Sequence, residues 1–208
     1  MKSLLLKQKT TKARFKYPCT ESQAEDILKA AYQAEVEYRR RIFVGDEQTA
    51  NNIKSFATFL TSEDSKFGVL FCGICGNGKT TLLLAFQNAT NYLNNHGFFE
   101  NDKVGISIVD AKDISLYARD HKSFHSLRCR DMLAIEDLGR EPTEVLEYGN
   151  VLNPVIDLLE YRYNNQLFTL ITTNLQPKEI REKYGNRIAD RFNEMFDKII
   201  FNNKTYRV

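Results

Sequence analysis

Residues 69 to 81 read VLFCGICGNGKTT, and two chemistries can be laid over these thirteen letters. Cys72 and Cys75 stand at the C-x-x-C spacing of a redox pair or of half a zinc site. Gly73, Ile74, Cys75, Gly76, Asn77, Gly78, Lys79 and Thr80 spell G-x-x-x-x-G-K-T, with Thr81 next. The second pattern is physically specific. Its glycines let the backbone curl so that N–H groups face phosphates, and the helix that follows adds its positive end. Lys79 would reach the β- and γ-phosphates of a nucleotide, and the Thr80 hydroxyl would bind Mg²⁺. The motif needs a strand before it and a helix after it. VLFC is a short apolar run, and Leu82, Phe86, Ala89 and Leu93 share one helical face from Lys79 to about Asn95, before Gly97. No second C-x-x-C or C-x-x-H completes a zinc site. Cys72 is therefore read as the last residue of a core strand, and Cys75 as a loop position whose thiol pKa a helix amino end would lower.

Downstream, short apolar runs alternate with helical patterns: VGISIV at 104–109, MLAI at 132–135, FTLIT at 168–172 and KIIF at 198–201. Asn153-Pro154 falls in a helical stretch reaching Tyr163, and Pro177 opens another. Runs apolar on both faces and separated by helices indicate an α/β chain built on a buried, mostly parallel five-stranded sheet, here a three-layer P-loop NTPase core. A Mg²⁺-bound triphosphate also needs a carboxylate at the end of a neighbouring strand. Glu136, directly after MLAI, is expected in the metal shell and Asp137 is expected to polarise the lytic water; a solvated acidic turn is the competing reading. Asn174 follows FTLITT at the carboxyl edge of the sheet, where an amide can position the attacking water or touch the γ-phosphate, although Asn also simply ends strands.

Upstream, the first sixteen residues carry Lys2, Lys7, Lys9, Lys12, Arg14 and Lys16 and no acid, whereas the 208-residue chain has a formal charge of only +2. Thr20-x-x-Gln23 forms a capping box for a helix expected from Glu21 to Arg41. Its last turn would hold Arg39, Arg40 and Arg41, suited either to the negative end of the helix dipole or to nucleic acid. Ala50, Ile53, Phe56, Ala57 and Leu60 describe a second amphipathic helix. Residues 1–45 are read as a basic arm with its helix, and 46–208 as the core. The only apolar run near the start is Leu4 to Leu6, and no stretch approaches a membrane span, so a cytoplasmic protein with reduced cysteines is expected. A second basic cluster, His121, Lys122, His125, Arg128 and Arg130 with Tyr117 and Phe124 interleaved, has the composition of a strand-binding surface and equally that of a solvated loop.

GICGNGKT, LAIEDLG, TLITTNL and YGNRIADRF, in this order, resemble the AAA+ ATPases of the DnaC/IstB-like group over roughly residues 40 to 208. Those proteins are helicase loaders and ATP-dependent helpers of certain transposases. The resemblance implies ATP and Mg²⁺ as cofactors, hydrolysis of ATP to ADP and phosphate that is slow in a monomer, and a homo-oligomer with shared sites on single-stranded DNA. Its partner would be a replicative helicase or a transposase. Asn174 looks like the sensor-1 residue and Arg191 like the arginine finger, with Arg187 the second candidate; from the residues alone both arginines also fit a helix surface paired with Asp190 and Glu194. KIIFNNKTYRV is similar to the group's closing strand-turn-strand. Many relatives have Asp where Glu136 stands. Seventeen residues, 192–208, follow Arg191, too few for the helical lid of larger relatives, so nucleotide closure is expected from the core and the next subunit. Three alternatives remain: an IstB-like transposition helper, a nucleotide-dependent scaffold without turnover, and a small-molecule P-loop kinase, which should show an Arg-rich lid that is not visible after the loop. A GTPase would need N-K-x-D, but Asn203-Lys204 is followed by Thr205-Tyr206.

Overall fold

Thr20 opens the first helix in the computed structural model, which describes residues 14–99, 104–142, 145–147 and 150–206. The basic arm through Lys12 lies outside the described residues. In helix α1 (Glu21–Tyr38) the Thr20 hydroxyl accepts from Gln23 N at 3.3 Å while the Gln23 amide oxygen accepts from Thr20 N at 3.0 Å, the capping box legible in the sequence. The helix stops short of the expected Arg41. Arg40 takes a left-handed φ of 56°, so that its N–H returns to Glu37 O (2.8 Å) and that of Arg41 to Val36 O (3.2 Å). This reciprocal C-cap is the geometry glycine ordinarily supplies, and it carries the three arginines off the helix axis. Helix α2 (Glu47–Thr61) is capped by Asp46, whose carboxylate accepts from Thr49 N at 2.7 Å.

The core follows as β1 (Gly68–Gly73), α3 (Lys79–Asn95), β2 (Ser107–Asp110), a 3₁₀ turn (Ala111–Asp113), α4 (Ile114–Ala118), α5 (His121–Arg128) and β3 (Met132–Leu138). A short antiparallel pair, β4 (Val145–Glu147) and β5 (Asn150–Leu152), precedes α6 (Pro154–Asn164), β6 (Phe168–Thr173), α7 (Pro177–Met195) and β7 (Phe196–Phe201). The five-stranded sheet is parallel throughout, in the order β2-β3-β6-β1-β7. Alternation along β1 divides the core: Val69 and Phe71 pack with Leu28, Phe56 and Phe86 beneath α1–α3, while Leu70 packs with Ile171, Leu158 and Phe192 beneath α6 and α7. Three layers result, as the apolar runs predict.

Three expectations need correction. The second strand begins at Ser107 rather than Val104, because Val104 N bonds instead to the Asn94 side chain (3.1 Å). The third does not end at Ile135: β3 continues through Glu136 and Asp137 to Leu138. No strand follows β7 among the described residues; residues 202–206 run irregularly and Tyr206 N bonds Gly76 O at 2.9 Å, so the expected strand-turn-strand is replaced by a segment laid against the loop. Helix α7 opens at Pro177 as expected and is interrupted by Gly185, whose φ of 82° starts a second helical segment carrying Arg187 and Arg191.

One buried cation ties the layers together. Arg162 on α6 has no exposed surface, and donates to Thr169 Oγ1 (2.8 Å), to the carbonyls of Arg128 (3.1 Å) and Arg130 (2.7 Å), and to Phe168 O. Burial pulls its guanidinium down to about 9, and the four acceptors stitch the end of α5 to the start of β6.

Candidate nucleotide-binding site

The loop between β1 and α3 is shaped by its glycines. Gly76 (φ 83°) and Gly78 (φ 97°) hold conformations other residues reach only with strain, and a Cβ on Gly78 would collide with the Tyr32 hydroxyl. Asn77 is buried and anchors the loop to β7 through Phe201 O (2.8 Å). Lys79 opens α3, only 5 % exposed, with its Nζ donating to Gly73 O (2.7 Å), Ile74 O (2.7 Å) and Asn77 Oδ1 (3.0 Å). A positive charge, the amino end of a 17-residue helix and curled backbone thus converge on one spot, with Thr80 and Thr81 on the first helical turn. Among the cysteines, Cys72 lies in β1 with burial raising its thiol, Cys75 is exposed on the loop, and no disulfide joins any of them.

Glu136 is not on a neighbouring strand, as expected of it: β6 lies between β1 and β3. It reaches the loop all the same, because Thr80 Oγ1 donates to Glu136 Oε1 at 2.6 Å across the top of β6. These are two hard oxygens in contact, the small protein contribution that Mg²⁺ takes when phosphates and water fill its remaining positions. Among the described residues no group of three His, Cys, Asp or Glu could hold a metal ion alone, so a cation here would share its shell with phosphate oxygens. Asp137 marks a break in the β3 register and has a left-handed φ of 54°. Its N–H is held by Thr172 Oγ1 (2.9 Å) and its carboxylate by Arg140 Nη1 (2.7 Å). Non-glycine residues in that region cost free energy and gather where a side chain must be aimed. Thr173 Oγ1 adds a bond to Leu138 O (2.7 Å), so consecutive β6 threonines set the end of β3. Asn174 follows directly and is exposed.

Lys79, Thr80, Glu136, Asp137 and Asn174 line one cavity of about 780 Å³, a size suited to a nucleotide. Its remaining wall was not anticipated from the sequence. It comes from the α1–α2 connection, with Phe43 and Val44, from Tyr32 on α1, and from Thr205 and Tyr206. Arg39, Arg41 and Arg140 also face this cavity. The Tyr32 hydroxyl, pushed up to about 12 chiefly by burial, stays neutral. The only advance signal for this wall was the aromatic content of residues 32–43 and 206; a wall assembled from both ends of the sequence has no local spacing to detect.

Arg187 and Arg191 lie elsewhere. Neither lines the cavity, and both pair with Glu160 on α6, at 3.2 and 2.7 Å, rather than with Asp190 and Glu194. The Arg191 side chain is 16 % exposed and stacks over Tyr163 at 4.8 Å, whereas that of Arg187 is 72 % exposed. In the second basic cluster, residues 121–128 form helix α5 rather than a loop, started by Asp120. Phe124 packs toward the core and Arg128 lies over Tyr161 at 4.6 Å, so neither is presented as expected. His121, Lys122, His125 and Arg130 remain exposed, as does Tyr117 at its margin. Of the basic arm, Arg14 stacks on Phe67 (5.1 Å) and Lys16 pairs with Glu63. Among the described residues no helix is long and apolar enough to cross a membrane.

No family model matches the chain, and no curated protein matches its sequence. Solved structures do. The DnaC helicase loader superposes with a TM-score of 0.60 at 20% identity, covering 84% of this chain and 99% of that one. DnaI gives 0.61 at 20% identity, over 88% of this chain and 93% of that one. AMPPCP-bound DnaA from Aquifex aeolicus gives 0.53 at 17% identity, over 78% of this chain and 50% of the DnaA chain. At such identities the likeness is one of architecture. The α/β fold, with its parallel sheet and its loop between β1 and α3, is the one that DnaC and DnaI share.

Proposed function

We propose that this chain is an ATP-binding and ATP-hydrolysing AAA+ protein of the DnaC/IstB-like group, a helicase-loader-like factor of DNA replication that assembles on single-stranded DNA in the cytoplasm. The observation carrying the reading is the Thr80–Glu136 hydrogen bond, which brings the phosphate loop and the β3 carboxylate into one cavity with Asn174. In it, Gly73 to Thr81 bind phosphates, Thr80 and Glu136 hold Mg²⁺, partly through water, and Asp137 orients and polarises the attacking water with Asn174 beside it. The metal, when bound, would neutralise charge on the β- and γ-phosphates.

The arginine finger comes from a second copy. Neither candidate lines its own chain's cavity, and exposure favours Arg187 as the residue that reaches out, with Arg191 holding Glu160 in place. The likeness to a helicase loader supports a ring helicase as the partner; a transposase would be met by the same site in a transposition helper. The exposed basic residues of α5, together with the lysines of the amino-terminal sequence, supply the contact to single-stranded DNA.

ATP turnover per subunit, measured against protein concentration with and without single-stranded DNA, tests this. Turnover that rises with both supports shared sites; turnover independent of both sinks them. In parallel, Lys79→Ala with undiminished ATP affinity would remove the phosphate-loop assignment, and Asp137→Asn with full biological activity would favour a scaffold without turnover.

A further inference from the structure

We propose that Asn203–Tyr206 is a strap closing the nucleoside end of the cavity, in which Tyr206 is the positioning residue for the base and sugar of a nucleoside triphosphate. The proposal rests on the nucleotide site above.

Three observations carry it. The strap is fastened to the phosphate loop itself, since Tyr206 N donates to Gly76 O at 2.9 Å, and a Cβ on Gly78 would lie 3.8 Å from Tyr206 Cε2. It is also fastened to the start of α2. The Tyr206 hydroxyl donates to Asp46 Oδ2 and lies 2.8 Å from Thr49 Oγ1, while Asn203 Nδ2 reaches it at 2.6 Å. Asn203, buried at 6 % exposure, further bonds Thr49 Oγ1 (3.2 Å) and Asp46 Oδ1 (3.3 Å) and accepts from Asn52 Nδ2 (3.0 Å). The third observation joins the two walls. Asp46 N donates to Val44 O at 2.9 Å, and Phe43 and Val44 line the same cavity as Thr205 and Tyr206, so the residue whose carboxylate holds the strap is also bonded through its backbone to the other part of the wall.

Such polar clusters cost conformational freedom and desolvation, and this one holds a segment that sets a half-buried aromatic ring in the wall of the cavity beside the glycine loop. Rings at such a place offer a face to a heterocyclic base and nothing to a phosphate chain. The strap should therefore distinguish a nucleotide from its phosphates alone.

The test is calorimetric titration of the full chain with Mg-ATP and with Mg-tripolyphosphate, for wild type, Tyr206→Ala and Tyr206→Phe. Wild type should bind both ligands. Tyr206→Ala should weaken ATP binding by ~5- to 150-fold, the equivalent of the ~1–3 kcal/mol of an aromatic–base contact, and leave tripolyphosphate binding unchanged. Tyr206→Phe keeps the ring and loses only the hydroxyl anchors, so its ATP affinity should lie between the two. Equal weakening for both ligands would make the strap a brace for the loop and overturn the proposal, as would unchanged ATP affinity in Tyr206→Ala. Thermal melting checks that the alanine variant is folded; if it is not, Tyr206→Phe decides alone, and equal effects on both ligands overturn the idea. Wild type binding neither ligand overturns the nucleotide site and the strap together, whereas wild type binding both with insensitive variants overturns the strap only.

Discussion

Gly78→Ala perturbs two separable quantities at one position, and the structure assigns a magnitude to each. The first is conformational: φ at 97° is a region where an L residue costs ~1–3 kcal/mol. The second is steric, because the added Cβ meets the Tyr32 hydroxyl, a buried group that cannot swing into solvent, and overpacking of that kind costs about 1–3 kcal/mol. Gly78→Ala should therefore lower the unfolding free energy by roughly 2–6 kcal/mol, a large share of what a domain of this size possesses. Tyr32→Phe removes the colliding oxygen, leaving the ring packed 6.0 Å from Phe43, and by itself costs about 1 kcal/mol of lost hydrogen bonding. In the double variant the steric part vanishes and the conformational part stays. A double-mutant cycle by urea denaturation should show a favourable coupling of about 1–3 kcal/mol. Additive effects, within about 0.5 kcal/mol, would refute the claim that α1 is packed onto the phosphate loop through this contact.

Other expectations can be checked separately. Arg162→Ala removes the donor from four acceptors, two of them buried, and opens a cavity, so denaturation should register a loss of at least ~3 kcal/mol. For Asp46, burial works to raise the carboxyl, but bonds from Tyr206 and Thr49 outweigh it and hold the pKa below the ordinary value. The stabilisation it gives is thus present above the unfolded carboxylate pKa of ~3.9 and lost as pH falls through the lowered folded value. The melting-temperature advantage of wild type over Asp46→Asn should be constant near neutrality and shrink below about pH 4. Arg187→Ala, at an exposed pair, should cost less than ~0.5 kcal/mol of stability yet reduce assembled-state turnover by ~10³-fold or more, while Arg191→Ala should cost ~1–2 kcal/mol of stability by losing Glu160 and the Tyr163 face. If Arg187→Ala subunits turn over normally without wild-type neighbours, the finger assignment fails.

How far each feature could be read in advance follows from how local its cause is. The capping box at Thr20, the apolar runs of the sheet strands and the helix after Lys79 each depend on residues within a few positions of one another, and all are found. The end of α1 at Tyr38 has no composition signal, because a left-handed Arg40 stands where glycine ordinarily marks such a stop. The β4–β5 pair has strands of three residues each, too short for an alternation to show in the sequence. At the cavity, the run GICGNGKT carries its own geometry, and the carboxylates after MLAI line the same space, though their strand lies one further away than expected.

By itself the sequence determined the glycine loop between β1 and α3, the alternation of strands and helices, and hence a parallel α/β sheet, since glycine conformations and apolar periodicity act over short range. Tertiary structure alone decided that β6 separates β1 from β3, that Thr80 nevertheless touches Glu136, and that Asp46 holds Tyr206 in the wall of the same cavity that Phe43 lines. Those contacts join residues 56 and 160 positions apart. Strand order and chain return set such distances, and no spacing along the chain encodes them.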